Sequence, residues 1–253
     1  MRFALLGSGS RGNATLVEAG DALVMVDCGF TLTETEARLT RLGIEPQRIT
    51  ALLITHEHGD HASGVALFAT RYHVPVWCTA GTRAACGKFG LHRAELFSPQ
   101  APFALAALEV TPITVPHDAC EPTQFVFSDG RHRLGLLTDT GSVTPHIRAR
   151  LADCAALILE CNHDRDMLEQ GPYPAKLKQR VGGQFGHLSN AQAAQLLAEL
   201  DCGKLQHLVA AHLSEKNNTP QLARSALVKV LDCEADWVQV ATQDGGLGWR
   251  ELH

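Results

Sequence analysis

None of the eight cysteines forms a C-x-x-C pair, so neither a zinc ribbon nor a thioredoxin-type redox motif is expected. They fall singly, and several border apolar runs, as Cys154 and Cys161 do around A-A-L-I-L-E. They read as small buried hydrophobes kept reduced. No apolar stretch approaches the roughly 20 residues that a membrane helix needs. The opening run M-R-F-A-L-L meets Gly7 before it is long enough for a secretory signal. A cytoplasmic chain without a membrane partner is therefore expected. Basic residues are not in excess: 22 Lys and Arg face 27 Asp and Glu, for a net charge of −5. A nucleic-acid ligand would have to use a local patch. The glycines of Gly7–Gly12 follow a strand, but no Lys-Ser/Thr follows them and no G-x-G-x-x-G occurs, so no nucleotide-phosphate loop is assigned. Repeats, low-complexity runs and linkers are also missing. The 253 residues, 45% of them hydrophobic, suit one domain spanning 1–253 with a sizeable core.

What the chain does have is alternation of strands and helices. Short apolar runs at Arg2–Leu6, Ala14–Glu18, Ala22–Asp27, Ile49–Thr55, Val74–Cys78, Leu108–Val115, Phe125–Phe127, Arg133–Thr138, Ala156–Glu160 and His207–His212 predict strands. Helices are predicted over Thr33–Leu42, Ala62–Tyr72, Ser142–Leu151, Asn190–Leu200 and Pro220–Leu231. Thr33 with Glu36 reads as a capping box and Gly43 as a stop. Ser189 and Thr219 read as caps, with Pro220 at the first helical position. Segment 162–188, rich in Gly, Pro, Lys and Arg, predicts a long loop inserted on the substrate side.

The densest chemistry lies in T-H-E-H-G-D-H-A-S-G, which places three histidines and two carboxylates in the six positions His56–His61. Charge of that density is costly to bury unless it is paired or bound to a metal. The strand I-T-A-L-L-I-T delivers His56 at its end. His56 and His58 can then converge on one ion while Asp60 and His61 turn toward a second. Imidazole and carboxylate suit zinc, manganese or iron. Two such ions sharing a water lower its pKa and clamp an in-line displacement.

H-E-H-G-D-H resembles the H-x-H-x-D-H signature of the metallo-β-lactamase superfamily. The resemblance implies an α/β (α+β) fold, a four-layer αββα sandwich with a two-metal site along one edge. It also implies further ligands, which V-M-V-D-C-G, I-T-V-P-H-D, L-G-L-L-T-D-T-G and L-V-A-A-H-L-S supply in order as Asp27, His117, Asp139 and His212. By analogy one ion takes His56, His58 and His117, the other takes Asp60, His61 and His212, Asp139 bridges, and Asp27 organises the metal loop from behind. G-S-G-S-R-G-N, E-C-N-H-D, G-P-Y-P, G-H-L-S-N and A-H-L-S-E-K-N-N together resemble the WalJ/YycJ group of bacterial metallo-hydrolases over nearly the whole chain. That group is nuclease-like, which implies a phosphodiesterase, with 5′→3′ cleavage of DNA suggested, in which a hydroxide bridging the ions attacks phosphorus.

Related phosphodiesterases place a catalytic histidine in a Gly-His segment comparable to G-Q-F-G-H-L-S-N. By that resemblance His187 is the general acid for the leaving alkoxide, and Asp60 is counted with it as catalytic. Ser8, Ser10, Asn13, Asn162, His163, Ser214 and Asn217 are candidate phosphate contacts. Lys176, Lys178 and Arg180, with Arg165, form a local basic run where a DNA backbone, or less readily RNA, could dock. Two other readings compete. One is a small-molecule cyclic phosphodiesterase resembling the PhnP group, whose cysteine-rich extra zinc site has no counterpart here. The other is a metal-binding protein without activity.

Overall fold

The computed structural model describes residues 1–253. Two seven-stranded sheets organise it. The first half of the chain supplies β1 (Arg2–Gly7), β2 (Ala14–Ala19), β3 (Ala22–Val26), β4 (Ala51–Leu53), β5 (Val76–Cys78) and β6 (Glu95–Leu96). The second half supplies β7 (Phe103–Leu105), β8 (Leu108–Thr114), β9 (Thr123–Ser128), β10 (Arg133–Leu137), β11 (Ala156–Glu160), β12 (His207–Ala211) and β13 (Val238–Val240). Strand β14 (Leu247–Glu251) returns to the first sheet and pairs antiparallel with β1. Each sheet starts as an antiparallel meander and continues with parallel strands, from β3 to β6 in one and from β10 to β13 in the other.

The alternation of side chains explains the layering. Along β3, Ala22, Val24 and Val26 point into the core between the sheets, while Leu23 and Met25 point to the opposite face. Along β12, Val209 and Ala211 face the same central core, and Leu208 and Ala210 face outward. Both faces of these strands are buried, as parallel sheets require. The outer face of the first sheet is covered by α1 (Leu32–Arg41), α2 (Gly59–Ala62), α3 (Val65–Tyr72) and α4 (Ala80–Cys86), through side chains such as Leu39, Phe68 and Cys86. The second sheet is covered by α5 (Pro145–Leu151), α8 (Asn190–Ala198) and α9 (Pro220–Leu231), through Ile147, Leu196 and Leu227. The result is an αββα sandwich. Fully burying one Leu or Phe side chain contributes about 1.5–3 kcal/mol, so three such cores hold the layers firmly.

Several local expectations change. The cap of α1 is Thr31, whose hydroxyl accepts from Glu34 N–H, and not Thr33, which lies within the helix. Gly43 keeps its stopping role with φ +70. The helix expected over Ala62–Tyr72 is broken at Ser63-Gly64, because the chain must pass the D-C-G-F loop there: a Cβ on Gly64 would lie 2.1 Å from the Phe30 carbonyl oxygen. The helix expected from Ser142 starts at Pro145 after the Thr144 cap. Ser189 caps α8 with a full capping box to Gln192, and Thr219 caps α9. The segment 162–188 is not a loop. It folds into α6 (Arg165–Gln170), capped by Asp164, and α7 (Ala175–Val181), which starts after Pro174. No helix is long and apolar enough to cross a membrane.

Candidate metal centre

The parallel strands end at one edge of the sandwich, and their C-terminal ends carry the chemistry, as in open α/β sheets generally. β3 runs out into Asp27, β4 leads to Thr55 and His56, β10 to Asp139, β12 to His212, and the antiparallel β8 to His117. Three of these residues sit in left-handed backbone: Asp27 at φ 61, Asp139 at φ 49 and His212 at φ 55. Non-glycine residues adopt this region rarely, and such strain collects at functional sites. Here it turns each side chain off its strand and toward a common centre.

Two flanking loops fix the H-E-H-G-D-H loop. Cys28 N–H donates to His61 O (2.8 Å), Asn13 N–H to Asp60 O (2.8 Å) and Gly29 N–H to Asn13 O (3.0 Å). The approach is so close that a Cβ on Gly29 would lie 1.7 Å from Asp60 O, so only glycine fits. The Asn13 amide bonds Gly9 through both of its ends, and the Ser8 hydroxyl accepts from His212 N–H at 2.9 Å. Asn162 donates to His212 O at 3.0 Å, and Ser214 accepts from Asn217 N–H. These five residues, expected as phosphate contacts, therefore brace the loops that carry the histidines. Apart from the Asn217 side chain, which bonds only the Ser214 hydroxyl, their polar atoms meet the chain's own backbone, because a loop turning this sharply must satisfy its amides internally.

The structure brings these groups together in overlapping clusters, one of which also joins Asp139, Glu160, His187 and His212. Potential ligand atoms of His56, His58 and His117 lie within 4.8 Å of one another, as do those of Asp60, His61 and His212, and those of His56, His61 and Asp139. In each of four histidines one ring nitrogen is already engaged from behind. His56 Nδ1 meets Thr55 Oγ1 at 2.9 Å and His61 Nδ1 meets Asp27 Oδ2 at 2.7 Å. His117 Nδ1 meets Gly186 O and His212 Nδ1 meets Glu160 Oε1, both at 3.0 Å. The opposite nitrogens turn inward. His56 Nε2, His212 Nε2 and Asp139 Oδ2 are buried with no hydrogen-bond partner at all. Buried polar atoms left so are costly, and these three, each within a group of neighbouring His and Asp side chains whose far ring nitrogens are fixed, suit donors to a metal ion.

Electrostatics agree. Burial opposes charge on Asp139 and Asp60, yet His212 and His61 hold the first well below the ordinary carboxylate range, and His61 with His212 does the same for the second. Burial disfavours a charged His212, but Asp139, Asp60 and Glu160 raise its pKa to about 10. The buried Asp139 and Glu160, with the partly exposed Asp60, thus demand positive charge, which a divalent cation would supply.

Glu160 is the residue that sequence reasoning missed. It is fully buried at the end of β11. Its oxygens accept from Asp139, Thr140 and Leu188 N–H and meet His187 Nδ1 (2.9 Å) and His212 Nδ1 (3.0 Å). The signal was present, since A-A-L-I-L-E-C places a carboxylate after an apolar strand just as V-M-V-D-C does. Burial works against a charged His187, but Glu160 outweighs it and raises the pKa above 6.5. In turn His187 and His212 overcome the burial of Glu160 and hold its pKa at about 2.

The centre opens into a cleft of about 360 Å³ lined by Ser10, His58, Asp60, Lys88, Tyr173, Arg180 and His187 among others. Arg180 reaches it across an ion pair with Asp118 (2.6 Å). Lys176 is exposed on α7 and does not line the cleft, whereas His163 and Lys178 line a different cavity. A larger cavity of about 670 Å³ opens beside α3 and β6, and none of the clustered ligands lines it.

Comparison with known proteins agrees with this geometry. Residues 23–212 match the Beta-lactamase superfamily domain. The Exodeoxyribonuclease YycJ of Bacillus anthracis is 33% identical over 236 residues, covering 92% of this chain and 89% of its own. The Exodeoxyribonuclease WalJ of Streptococcus pneumoniae serotype 2 is 29% identical over 253 residues, covering 98% and 91%. Among solved structures, the metallo-beta-lactamase fold protein YhfI from Bacillus subtilis superposes with a TM-score of 0.75 at 17% identity over 99% of both chains. With its strand-end ligands, αββα layers and matching relatives, this chain belongs to the metallo-β-lactamase superfamily.

Proposed function

We propose that this chain is a dinuclear metal-dependent phosphodiesterase that cuts nucleic acid, with DNA the first substrate to test. One observation carries the reading beyond the family: His187, held by the buried Glu160, borders the same cleft as the ligand cluster. His187 Nδ1 is held by Glu160 at 2.9 Å, which leaves Nε2 for the cleft. A phosphodiester releases a poor alkoxide leaving group, and a proton donor placed beside the centre answers that need. The two full-length relatives, both exodeoxyribonucleases by name, support the same class.

In this reading His56, His58 and His117 hold one ion, Asp60, His61 and His212 the other, and Asp139 reaches both. When bound, the ions supply a water acidic enough to ionise near neutral pH and offset the charge on the phosphate oxygens. Zinc or manganese suits this nitrogen and oxygen set, and iron also fits it. Asp27 orients His61. Glu160 orients His187, stabilises its imidazolium and keeps Nδ1 engaged, so that the transferable proton sits on Nε2. Arg180 and Lys88, at the cleft wall, attract the phosphate.

The test is turnover of metal-reconstituted protein on 5′-labelled single- and double-stranded DNA and RNA, beside bis(p-nitrophenyl) phosphate, with Asp60→Ala as control. Metal-dependent shortening of DNA, lost in the variant, is the expected result. Cleavage of the small diester alone would reassign the centre to small-molecule phosphodiesters. Cleavage of neither would overturn the phosphodiester reading.

A further inference from the structure

Helix α7 has two working faces. Leu177, Arg180 and Val181 line the metal cleft, whereas Lys178 and Gly182 line a second cavity of about 360 Å³ on the helix's other side. Most of the residues that line that cavity are polar or charged. Its wall includes His163, Arg165, Glu169 and Gln192, and a single hydrophobic residue lines it. His163 is 2% exposed, and its Nδ1 is buried with no hydrogen-bond partner. Burial pushes its pKa down to about 4, so the ring is neutral and carries one N–H. The Gln192 amide oxygen is spent on the Ser189 capping box, which leaves its NH₂ group free to donate. Arg165 forms no ion pair, and Lys178 bonds only the Glu169 carbonyl oxygen. Gly182 keeps the space open: a Cβ there would lie 3.3 Å from Leu168 Cδ2 and 4.0 Å from His163 Nε2.

We infer that this cavity binds one phosphodiester group of the polynucleotide strand that is cut in the metal cleft. Two cations and one carboxylate leave the wall with a single positive charge. That matches the single negative charge of a backbone diester better than the double charge of a terminal monoester. The Gln192 amide N–H group supplies a neutral donor for a phosphate's remaining oxygens. Helix α7, about 10–12 Å across with its side chains, stands between the two cavities, so the phosphate held here lies more than one nucleotide from the one that is cut. This site rests on the phosphodiesterase reading above for its substrate, though not for its existence.

The experiment compares the metal-reconstituted wild type with Arg165→Gln/Lys178→Gln and with Gly182→Met, whose flexible side chain can fill the cavity. The readout is the ratio of kcat/KM on a single-stranded oligodeoxynucleotide to kcat/KM on bis(p-nitrophenyl) phosphate. The ratio is expected to fall roughly tenfold in both variants through KM, and the double variant should flatten the log–log salt dependence by roughly 0.7 for the one phosphate lost. Equal loss on 5′-hydroxyl and 5′-phosphorylated strands supports the internal diester. Loss confined to the 5′-phosphorylated strand overturns that assignment in favour of a terminal phosphate, and an unchanged ratio overturns the site itself. If the wild type cuts neither substrate, the functional reading fails and the cavity is judged by binding alone. Titration with the dinucleoside monophosphate dTpdT, followed by NMR at the Gln192 side-chain amide, should then shift the signal in wild type and not in the double variant. The absence of any shift in wild type would overturn the proposal.

Discussion

The two sheets each end in a buried carboxylate that grips histidines, and they use it differently. Asp27, at the end of β3, meets one histidine, His61 at 2.7 Å, and shares its other contacts with Thr55 at 2.8–2.9 Å. The histidines it serves come from one short loop, already clamped by backbone hydrogen bonds to Asn13 and Cys28. Glu160, at the end of β11, meets two histidines from separate segments and accepts three backbone N–H groups from the turns that follow β10 and precede α8. Contiguous ligands need only a brace, because the chain connecting them keeps them together. Candidate ligands as far apart in the chain as Asp139 and His212 need a hub, and Glu160, which touches both, is that hub for the second sheet.

Removing the group that touches both sheets' ligands should have the largest effect. Asp139→Ala is expected to reduce turnover to background and to lower bound metal measured by elemental analysis. Retention of both full metal content and activity would remove Asp139 from the centre. Next comes His187→Asn. With an alkoxide leaving group, turnover should drop by about 10²–10⁴-fold, whereas p-nitrophenolate, which leaves without a proton, should be nearly unaffected. The sign of the pH effect follows from the raised pKa of His187. The acid form persists past the usual histidine range, and turnover falls as pH rises through that pKa. The variant should lack this alkaline limb.

Glu160→Gln against Asp27→Asn tests the hub and the brace directly. Loss of an outer partner typically costs about 10–100-fold in metal affinity or activity. The Glu160 variant is expected at the upper end, since its amide would point a donor at existing donors, and the Asp27 variant at the lower end. Metal titration of both proteins checks this, and an equal effect would dissolve the distinction. The smallest effect separates the helices that cover each sheet. Thr31→Ala and Ser189→Ala should each cost about 1 kcal/mol in chemical denaturation. Only Ser189→Ala should also slow turnover, because its cap anchors the strand of chain that bears His187.

Much of this was legible before folding was considered. H-x-H-x-D-H is local, so its spacing survives into the structure, and each remaining ligand follows an apolar run that became a strand. The layers were legible too, because alternation along β3 and β12 buries both faces. Ser8, Asn13, Asn162, Ser214 and Asn217 read as phosphate contacts in the sequence, and the structure shows them hydrogen-bonded within the loops around the histidines. Polar residues in a Gly-rich turn look the same whether they await a ligand or satisfy a neighbouring amide. Segment 162–188 read as a loop because its helices are short, at six and seven residues, and short helices gain their stability from packing rather than propensity.

By itself the amino-acid order determined which strands form, which groups can bind a cation and which loop carries most of them, since those properties depend on side-chain chemistry and on periodicity over a few residues. Tertiary structure alone decided that Glu160 gathers His187 and His212, that the N-terminal glycine loop braces the metal loop, and that α7 stands between two cavities. Those relations join segments tens to hundreds of residues apart, and only the packing of two sheets face to face brings them within hydrogen-bonding distance.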